Sequence, residues 1–253
     1  VYETETWDFA LEDEWTWDRL VTVLGVSYDV YRPLRSAEVT PGDDIGSFNP
    51  QLVGRYTFSD DFQAFAGVGR KTRFPHMKEL YSQHAGGNPD LDPEYTDTVD
   101  LGAEIRPLAG SSMLRLTADV FYNDIRDLIE SVDISEDESQ YQNIGHATSK
   151  GIELGAEYVP VTNLLLGAAY TWLDAWNEDT DQRLQYQPRN QWSGSFKWMP
   201  GWGFTVLAQV RYVTDSVEYL TDKKIGEYTH HLPDYVVCDA GVGRRGGRRG
   251  ASG

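Results

Sequence analysis

The sequence predicts an all-β protein, an antiparallel transmembrane β-barrel whose strands follow one another in an up-and-down meander. Three observations support this fold class. Segments with an apolar residue at every second position recur along the chain, short and long connections alternate between them, and aromatic residues, 13% of the 253 residues, fall near the strand ends. The longest apolar run, near LLLGAAYTW, is far shorter than the roughly 20 residues that a membrane-spanning helix needs.

Eleven strands are predicted from the period-two pattern. Several are longer than the roughly 5–6 residues usual in soluble proteins, and they suit the about 9–11 residues of a tilted membrane strand. The predicted strands span residues 5–14, 19–31, 49–58, 62–71, 96–106, 113–130, 141–158, 163–173, 186–198, 204–213 and 234–242.

The segment SKGIELGAEYVP shows the pattern on which these strands depend. Its apolar residues Ile152 and Leu154 alternate with Gly151, Glu153 and Gly155, so an extended chain has one apolar face and one acidic or bare face. A soluble sandwich would bury the apolar face in a core, whereas a membrane barrel would turn it toward lipid.

The connections favour the barrel over the sandwich. The links EWTWD, SDD, PLAGSS, VPVT and MPGWG are tight turns, and long polar links separate them throughout the chain. Short and long links alternate over all ten connections, so every turn lies at one end of the sheet. Outer-membrane barrels have this asymmetry, and a Greek-key sandwich has no reason to show it.

The composition excludes some functions. Lys and Arg number 22 against 40 Asp and Glu, and this net charge of −18 argues against nucleic acid as a partner. No nucleophile elbow, P-loop or zinc-protease motif is present, so we expect neither an enzyme nor a cofactor. His76, His84, His230 and His231 fall in loops, where solvated side chains are more common than a metal site, and we expect no bound metal.

Three segments go beyond a pattern of alternation. TRFPHMKELYS followed by GNPDLDPEY, FYNDIRDLIE followed by YQNIGHATSKGIELGAEY, and LGAAYTWLDA followed by QPRNQWSGSFKW resemble, in order and spacing, successive parts of TonB-dependent outer-membrane receptors. The resemblance covers about residues 5–242. The residues that carry its motifs, and to which it gives a structural role, are Phe74, Pro75, Glu79, Leu80, Tyr81, Asn88, Pro89, Leu91, Pro93, Glu94, Asn143, Gly145, Gly151 and Glu153.

The resemblance implies a transporter in the outer membrane of a Gram-negative cell. Its partners would be the lipid bilayer, lipopolysaccharide, a plug domain of the same full-length chain, TonB, and a scarce solute such as a ferric siderophore. The family's barrel has about 22 strands, so we interpret this chain as a fragment without the plug and the last strands. A passive porin-like barrel, and a soluble β-rich carbohydrate-binding domain, are the alternatives.

The chain is expected to divide into a partial barrel, residues 1–242, and a basic low-complexity tail, residues 243–253, outside the barrel. It begins at Val1 without a Met, which we interpret as a processed or truncated start.

Ligand contact is expected at the loop ends of the strands. Arg70, Arg73 and Arg189 could hold an anionic ferric chelate by charge and hydrogen bonds, and Tyr81 and Tyr186 could stack on a flat ligand. Pairing of these arginines with nearby acids or with the plug is the structural alternative.

Overall fold

The computed structural model describes residues 3–36, 40, 42–109, 112–134, 138–222 and 226–244. In these ranges the helical elements are α1 (Met77–Tyr81) and a 3₁₀ turn (Gln83–Ala85), and the rest of the regular structure is β-strand. The strands are β1 (Glu3–Trp17), β2 (Leu20–Arg35), β3 (Ile45–Ser59), β4 (Phe62–Arg73), β5 (Glu94–Ile105), β6 (Leu108–Ala109), β7 (Ser112–Asp133), β8 (Ser139–Val161), β9 (Leu164–Asn177), β10 (Gln182–Arg183), β11 (Asn190–Gly201), β12 (Phe204–Thr214), β13 (Ser216–Asp222), β14 (Gly226–Leu232) and β15 (Tyr235–Arg244).

Eleven of these strands form one antiparallel path in the order β1-β2-β3-β4-β5-β7-β8-β9-β11-β12-β15. They correspond one to one to the eleven predicted strands, and each pairs with its neighbours along the chain. The two-residue strands β6 and β10 extend β7 and β9, and β13 and β14 form a separate hairpin. Within the described residues β1 pairs only with β2 and β15 only with β12, so the meander is confirmed and the sheet is not closed.

Some boundaries differ from the prediction. The strand predicted over 186–198 begins at Asn190, because Pro188 has no N–H to donate to a ladder and Tyr186 adopts a positive φ of 58°. At the other end β15 continues to Arg244, two residues beyond the predicted strand. The remainder of the predicted basic tail lies outside the described residues.

The alternation of connections is present in the structure. The links from β1 to β2, β3 to β4, β5 to β7, β8 to β9 and β11 to β12 all lie at one edge of the sheet, which we call the turn edge. The other links leave from the opposite edge, the loop edge. β7 and β8 extend past the main sheet at the loop edge, so part of the acidic link predicted there is strand, up to Asp133 and again from Ser139.

The two faces of the sheet differ as the alternation predicts. Leu101, Val120 and Leu154 belong to the face that we call apolar, and Leu101 is 56% exposed. The opposite face, which we call polar, carries Asp119 and Glu153. The main contacts between strands are all between sheet neighbours, and the large apolar side chains of this face are exposed, so among the described residues no second layer covers the apolar face. A sandwich would have buried these side chains.

Aromatic side chains gather near both edges of the apolar face. Toward the loop edge, the ring of Trp192 lies 5.1 Å from that of Tyr170 and 5.5 Å from that of Tyr212. Toward the turn edge, the ring of Phe58 lies 4.7 Å from Tyr56 and 4.9 Å from Phe62. Two aromatic rows that flank an apolar band are typical of a protein whose face meets the two interfaces of a membrane. None of the helices described here has the length and hydrophobicity needed to span a bilayer.

Candidate functional site

Several of the most deeply buried side chains come from the link between β4 and β5. Residues 74–93, which we call the docked loop, fold back over the polar face at the loop edge, where Tyr31 stacks on Phe74 with a ring separation of 5.5 Å. Leu80, Tyr81 and Leu91 of this loop are 1%, 2% and 4% exposed. The cluster is completed by Tyr31 and Ile129, with Ile45, Phe74, Met77 and Tyr141 around it. The loop therefore has its own small hydrophobic core.

Local sequence explains why the loop forms a helical turn. Pro75 is buried and favours an extended residue before it, and the His76 N–H donates to the Glu79 carboxylate at 2.7 Å, which satisfies a free amide at the start of α1. The Leu80 N–H then donates to the His76 carbonyl at 3.0 Å. This turn directs Leu80 and Tyr81 into the core.

Arg73 fixes both ends of the docked loop. Its guanidinium donates to Glu94 at 2.7 Å and 2.5 Å and to Glu79 at 3.0 Å and 3.2 Å. Glu94 also accepts the Ile129 N–H at 2.8 Å, and its side chain is only 10% exposed. Two carboxylates thus share one arginine, and the hydrogen bond to Glu94 is the main cause that raises the pKa of Arg73.

Two asparagines tie the docked loop to the β7–β8 extension. Asn88 donates to the Tyr141 carbonyl at 3.0 Å. Asn143 donates to the carbonyls of Asp92 and Asp127 at 2.9 Å and 2.7 Å, and accepts the Asp92 N–H at 2.9 Å. The side-chain amide of Asn143 therefore both donates and accepts hydrogen bonds, whereas an ionised carboxylate of the same shape could only accept them.

A further contact joins the docked loop to the link between β2 and β3. The Tyr81 hydroxyl accepts the Gly42 N–H at 2.8 Å. On the other side of the loop, the Gly86 carbonyl accepts the Tyr141 N–H at 2.8 Å. Gly86 has a φ of 71°, and a side chain there would overlap the backbone at Ser139. The motif residue Pro89 is exposed, whereas Pro93 is buried at the start of β5.

The other motif residues lie in the wall. Gly145 pairs with Leu128 at an irregularity in the β7–β8 ladder. Gly151 is covered by the ring of Phe121, which occupies the space that a side chain would need. Glu153 stands opposite Asp119 on the polar face.

The five side chains predicted to contact a ligand do not converge. Tyr81 is buried in the docked loop and Arg73 is held by its two carboxylates. Arg70 lies on the apolar face beside the loop edge, donates to Asp97 at 2.7 Å and 2.8 Å, and stacks over Tyr95. Arg70 is two positions from Val68 in the same strand, and this spacing already indicated that both side chains lie on the apolar face. The ligand role of these residues stays a prediction.

Arg189 and Tyr186 contact the base of the β13–β14 hairpin. Arg189 donates to Asp174 at 2.8 Å and lies 3.6 Å from Asp215, and the Tyr186 hydroxyl donates to Glu218 at 2.7 Å. That hydrogen bond raises the pKa of Tyr186. The two residues therefore support the hairpin.

Sequence reasoning missed Asp215 and Arg183. Arg183 donates to the Asp215 carboxylate and carbonyl at 2.9 Å each, and its side chain is only 13% exposed. Asp215 adopts a positive φ of 58° at the point where the chain leaves β12. The sequence signal that could have indicated the hairpin was Gly226, a residue type that favours turns, although the segment around it has no clear alternation of apolar and polar residues.

The polar face forms a wide wall with a shallow concavity. Arg115 lies between Glu104 and Glu157, with distances of 3.0 Å and 2.9 Å. Next to it a concavity of about 590 Å³ is floored by Gly155, Gly167 and other small residues. Because glycines have no side chain, another polar surface can approach the backbone of this concavity closely. Among the described residues, no group of three or more His, Cys, Asp or Glu side chains is placed to hold a metal ion.

Comparison with solved structures gives the same fold in several transport proteins. The copper transporter OprC is 20% identical with a TM-score of 0.69, over 97% of this chain and 40% of that one. A mutant of the ferric enterobactin receptor PfeA from Pseudomonas aeruginosa is 17% identical with a TM-score of 0.71, over 97% and 38%. The ferric-catecholate import receptor Fiu from E. coli is 18% identical with a TM-score of 0.67, over 97% and 39%. The chain thus spans about two fifths of the length of these proteins.

The family model described as TonB dependent receptor-like, beta-barrel, matches residues 1–245. The eleven-strand meander, the polar and apolar faces and the docked loop are the structural counterpart of that match. The chain belongs to the TonB-dependent receptor family, as part of its β-barrel.

Proposed function

We propose that this chain is part of an outer-membrane receptor that imports a scarce solute by active transport, with energy supplied through TonB. The observation that carries the proposal is the family match over residues 1–245. TonB-dependent receptor barrels are outer-membrane proteins of Gram-negative cells, and the uncovered apolar face between two aromatic rows suits that location.

In this proposal the polar face lines the lumen and meets a plug domain of the full-length chain. Arg115 with Glu104 and Glu157 presents a charged surface to the interior, and the glycine floor beside it lets the plug approach the backbone. The docked loop lies on the same face at the loop edge. It would form part of the entrance through which the solute reaches the plug.

A ferric siderophore is the substrate that we propose. Two of the similar structures are named as receptors for ferric enterobactin and ferric catecholates, and a third is named as a copper transporter. Arg70, Arg73, Arg189, Tyr81 and Tyr186 remain the proposed contacts at the loop edge. Arg189 and Tyr186 are the better placed, because Tyr186 is 61% exposed and its ring is accessible for stacking.

Uptake by the full-length gene product tests the proposal. A strain without the gene is supplied with radiolabelled iron as catecholate or hydroxamate siderophores, and complemented with the gene in cells with and without TonB. We expect one siderophore class to restore iron uptake only when TonB is present. Uptake that persists without TonB would indicate the porin-like alternative, and a product in the aqueous fraction without detergent would indicate the soluble one.

A further inference from the structure

The hydrophobic core under the docked loop includes residues from strands that lie far apart in the sheet. Besides residues of the loop itself, it contains Tyr31 of β2, Ile45 of β3, Ile129 of β7 and Tyr141 of β8. The strand order β2-β3-β4-β5-β7-β8 separates β2 from β8 by five steps, which in a flat sheet is about 24 Å. One core can include both strands only because the sheet and the β7–β8 extension curve around the loop.

Hydrogen bonds attach the docked loop to both sides of this curved wall. On the β2 side, the Tyr81 hydroxyl accepts the N–H of Gly42 in the link between β2 and β3 at 2.8 Å. On the β8 side, the Asn88 amide donates to the Tyr141 carbonyl at 3.0 Å, and the Gly86 carbonyl accepts the Tyr141 N–H at 2.8 Å. The loop therefore connects the two sides of the wall across its concave face.

The docked loop also lies in the middle of the chain segment that it connects. The long strands β2, β3 and β4 precede it, and β5, β7 and β8 follow it. The pair of Arg73 and Glu94 closes β4, the loop and β5 into one unit that needs few distant contacts. From this unit β3 and β2 pair outward on one side, and β7 and β8 on the other. Each added strand thus meets a concave surface that the loop core already fills.

The β13–β14 hairpin at the same edge has a different relation to the wall. It continues the ladder of β12 and β15 without a change of register, from the pair Val213 and Tyr235 to the pair Ser216 and Leu232. Its Val217 is 2% exposed, nearly as buried as Leu80 at 1%. Among the described contacts the hairpin joins neighbouring segments only. Val217 is therefore a matched site outside the curved core.

We propose that the docked loop sets the curvature of strands β2 to β8 while the barrel assembles, and that its core forms before the barrel closes. An open sheet has two unpaired edges that must meet in the membrane, and they can meet only if the strands curve. A loop core that holds six strands on a curve brings these edges closer and lowers the barrier to closure. This role goes beyond solute uptake, because a loop that serves only the entrance has no influence on the rate of assembly.

Refolding of the full-length receptor tests the inference. The protein is unfolded in urea and diluted into vesicles of dilauroylphosphatidylcholine, and the refolding rate is measured from the folded, faster-running band in a gel without boiling. We expect L80A, which leaves a cavity in the loop core, to refold about 10-fold more slowly than the wild type. V217A is the matched control, and it should unfold faster in urea but refold at the wild-type rate.

The kinetics distinguish this role from a merely stabilising one. The inference is overturned if L80A refolds at the wild-type rate and only unfolds faster, because the loop would then dock after closure. It is also overturned if V217A slows refolding as much as L80A does. If L80A gives no folded band, Y81F is used, since it removes only the hydroxyl that accepts the Gly42 N–H. Y81F should refold about 3-fold more slowly, and an unchanged rate overturns the inference. A receptor whose variants refold normally and import the solute contradicts this inference alone.

Discussion

Arg73, the last residue of β4, forms a forked pair with Glu94, the first residue of β5, through distances of 2.7 Å and 2.5 Å. The twenty residues between them form the docked loop, whose Glu79 occupies the remaining Nη1 donors. The pair thus closes the loop at its base.

Loss of Arg73 should release this loop. In R73Q, Glu94 and Glu79 lose their cation, and since the guanidinium is 36% exposed we expect a cost of about 1–2 kcal/mol. Hydrogen exchange at Leu80 and Asn88 of the full-length protein should become about 10-fold faster. R32Q, which removes a loop-edge arginine paired with the exposed Asp44, is the control. Equal acceleration in both variants would show that the Arg73 pair does not hold the loop.

Asn143 offers a second way to detach the loop. N143D keeps the size of the side chain but replaces two donors with acceptors, so the carbonyls of Asp92 and Asp127 would face a carboxylate. We expect about 1–3 kcal/mol of local destabilisation, measured as faster protease cleavage within residues 74–93. K78Q, at an exposed position of the docked loop, changes the net charge by the same amount and should leave the cleavage rate unchanged. If N143D is cleaved no faster than the wild type, the hydrophobic core around Leu80 is sufficient to hold the docked loop without Asn143.

The polar face should be sensitive to added volume at Gly102. A Cβ atom there would overlap the Phe65 ring and the Asp119 carboxylate, so G102A should cost about 1–3 kcal/mol. G241A lies on the same face with open space around it and should be neutral. The stability of both variants is measured by the folding yield and by the temperature at which half of the folded, faster-running band is lost in a gel without boiling. The double change G102A/F65L should recover part of the loss, and its failure to do so would exclude the Phe65 clash as the cause.

Charge should be tolerated on one face and not on the other. L101R places an arginine in the middle of the apolar face, for which we expect about 2–4 kcal/mol of destabilisation in a bilayer. D100R, at the preceding residue, points to the polar face and should assemble nearly normally. The measurement is the fraction of each variant that is assembled in the outer membrane, which should be low for L101R and close to wild type for D100R. Similar assembly of both variants would contradict the assignment of the faces.

We expect Glu130 to make the stability of the β7–β8 extension depend on pH. It lies in the β7–β8 extension, beyond the last β5 pair at Tyr95 and Arg126, and burial raises its pKa above the ordinary value of 4.5, with the charge of Glu94 adding to this effect. Because the folded-state pKa is raised, its contribution to stability is complete below about pH 4.5 and is lost as pH rises through the folded-state value.

The variant E130Q should therefore slow hydrogen exchange of the extension at pH 7 and make no difference in acid, after correction for intrinsic exchange rates. D90N, on the exposed side of the docked loop, controls for the loss of a charge. A benefit of E130Q that is the same at both pH values would contradict the titration of Glu130.

The strands were predictable because each has one face that avoids water, as Leu101 and Val120 show, and this requirement imposes a period of two on the sequence. The β13–β14 hairpin escaped prediction because neither of its faces is consistently apolar around His230 and His231. No local signal indicates that Tyr81 is buried, since its burial depends on contacts with Tyr31, fifty residues earlier. Motif residues could be identified from the sequence, but the partners of Arg73 could not.

The separation of turns and loops to opposite edges has a consequence for how such a protein can change. Every long link begins and ends at the same rim, so lengthening one of them leaves the pairing register of all the strands untouched. Insertions can accumulate at this rim without penalty to the wall, as the hairpin supported by Asp215 and Arg183 illustrates. The loop edge can thus differ between related chains while the strand pairing of the sheet beneath it stays the same.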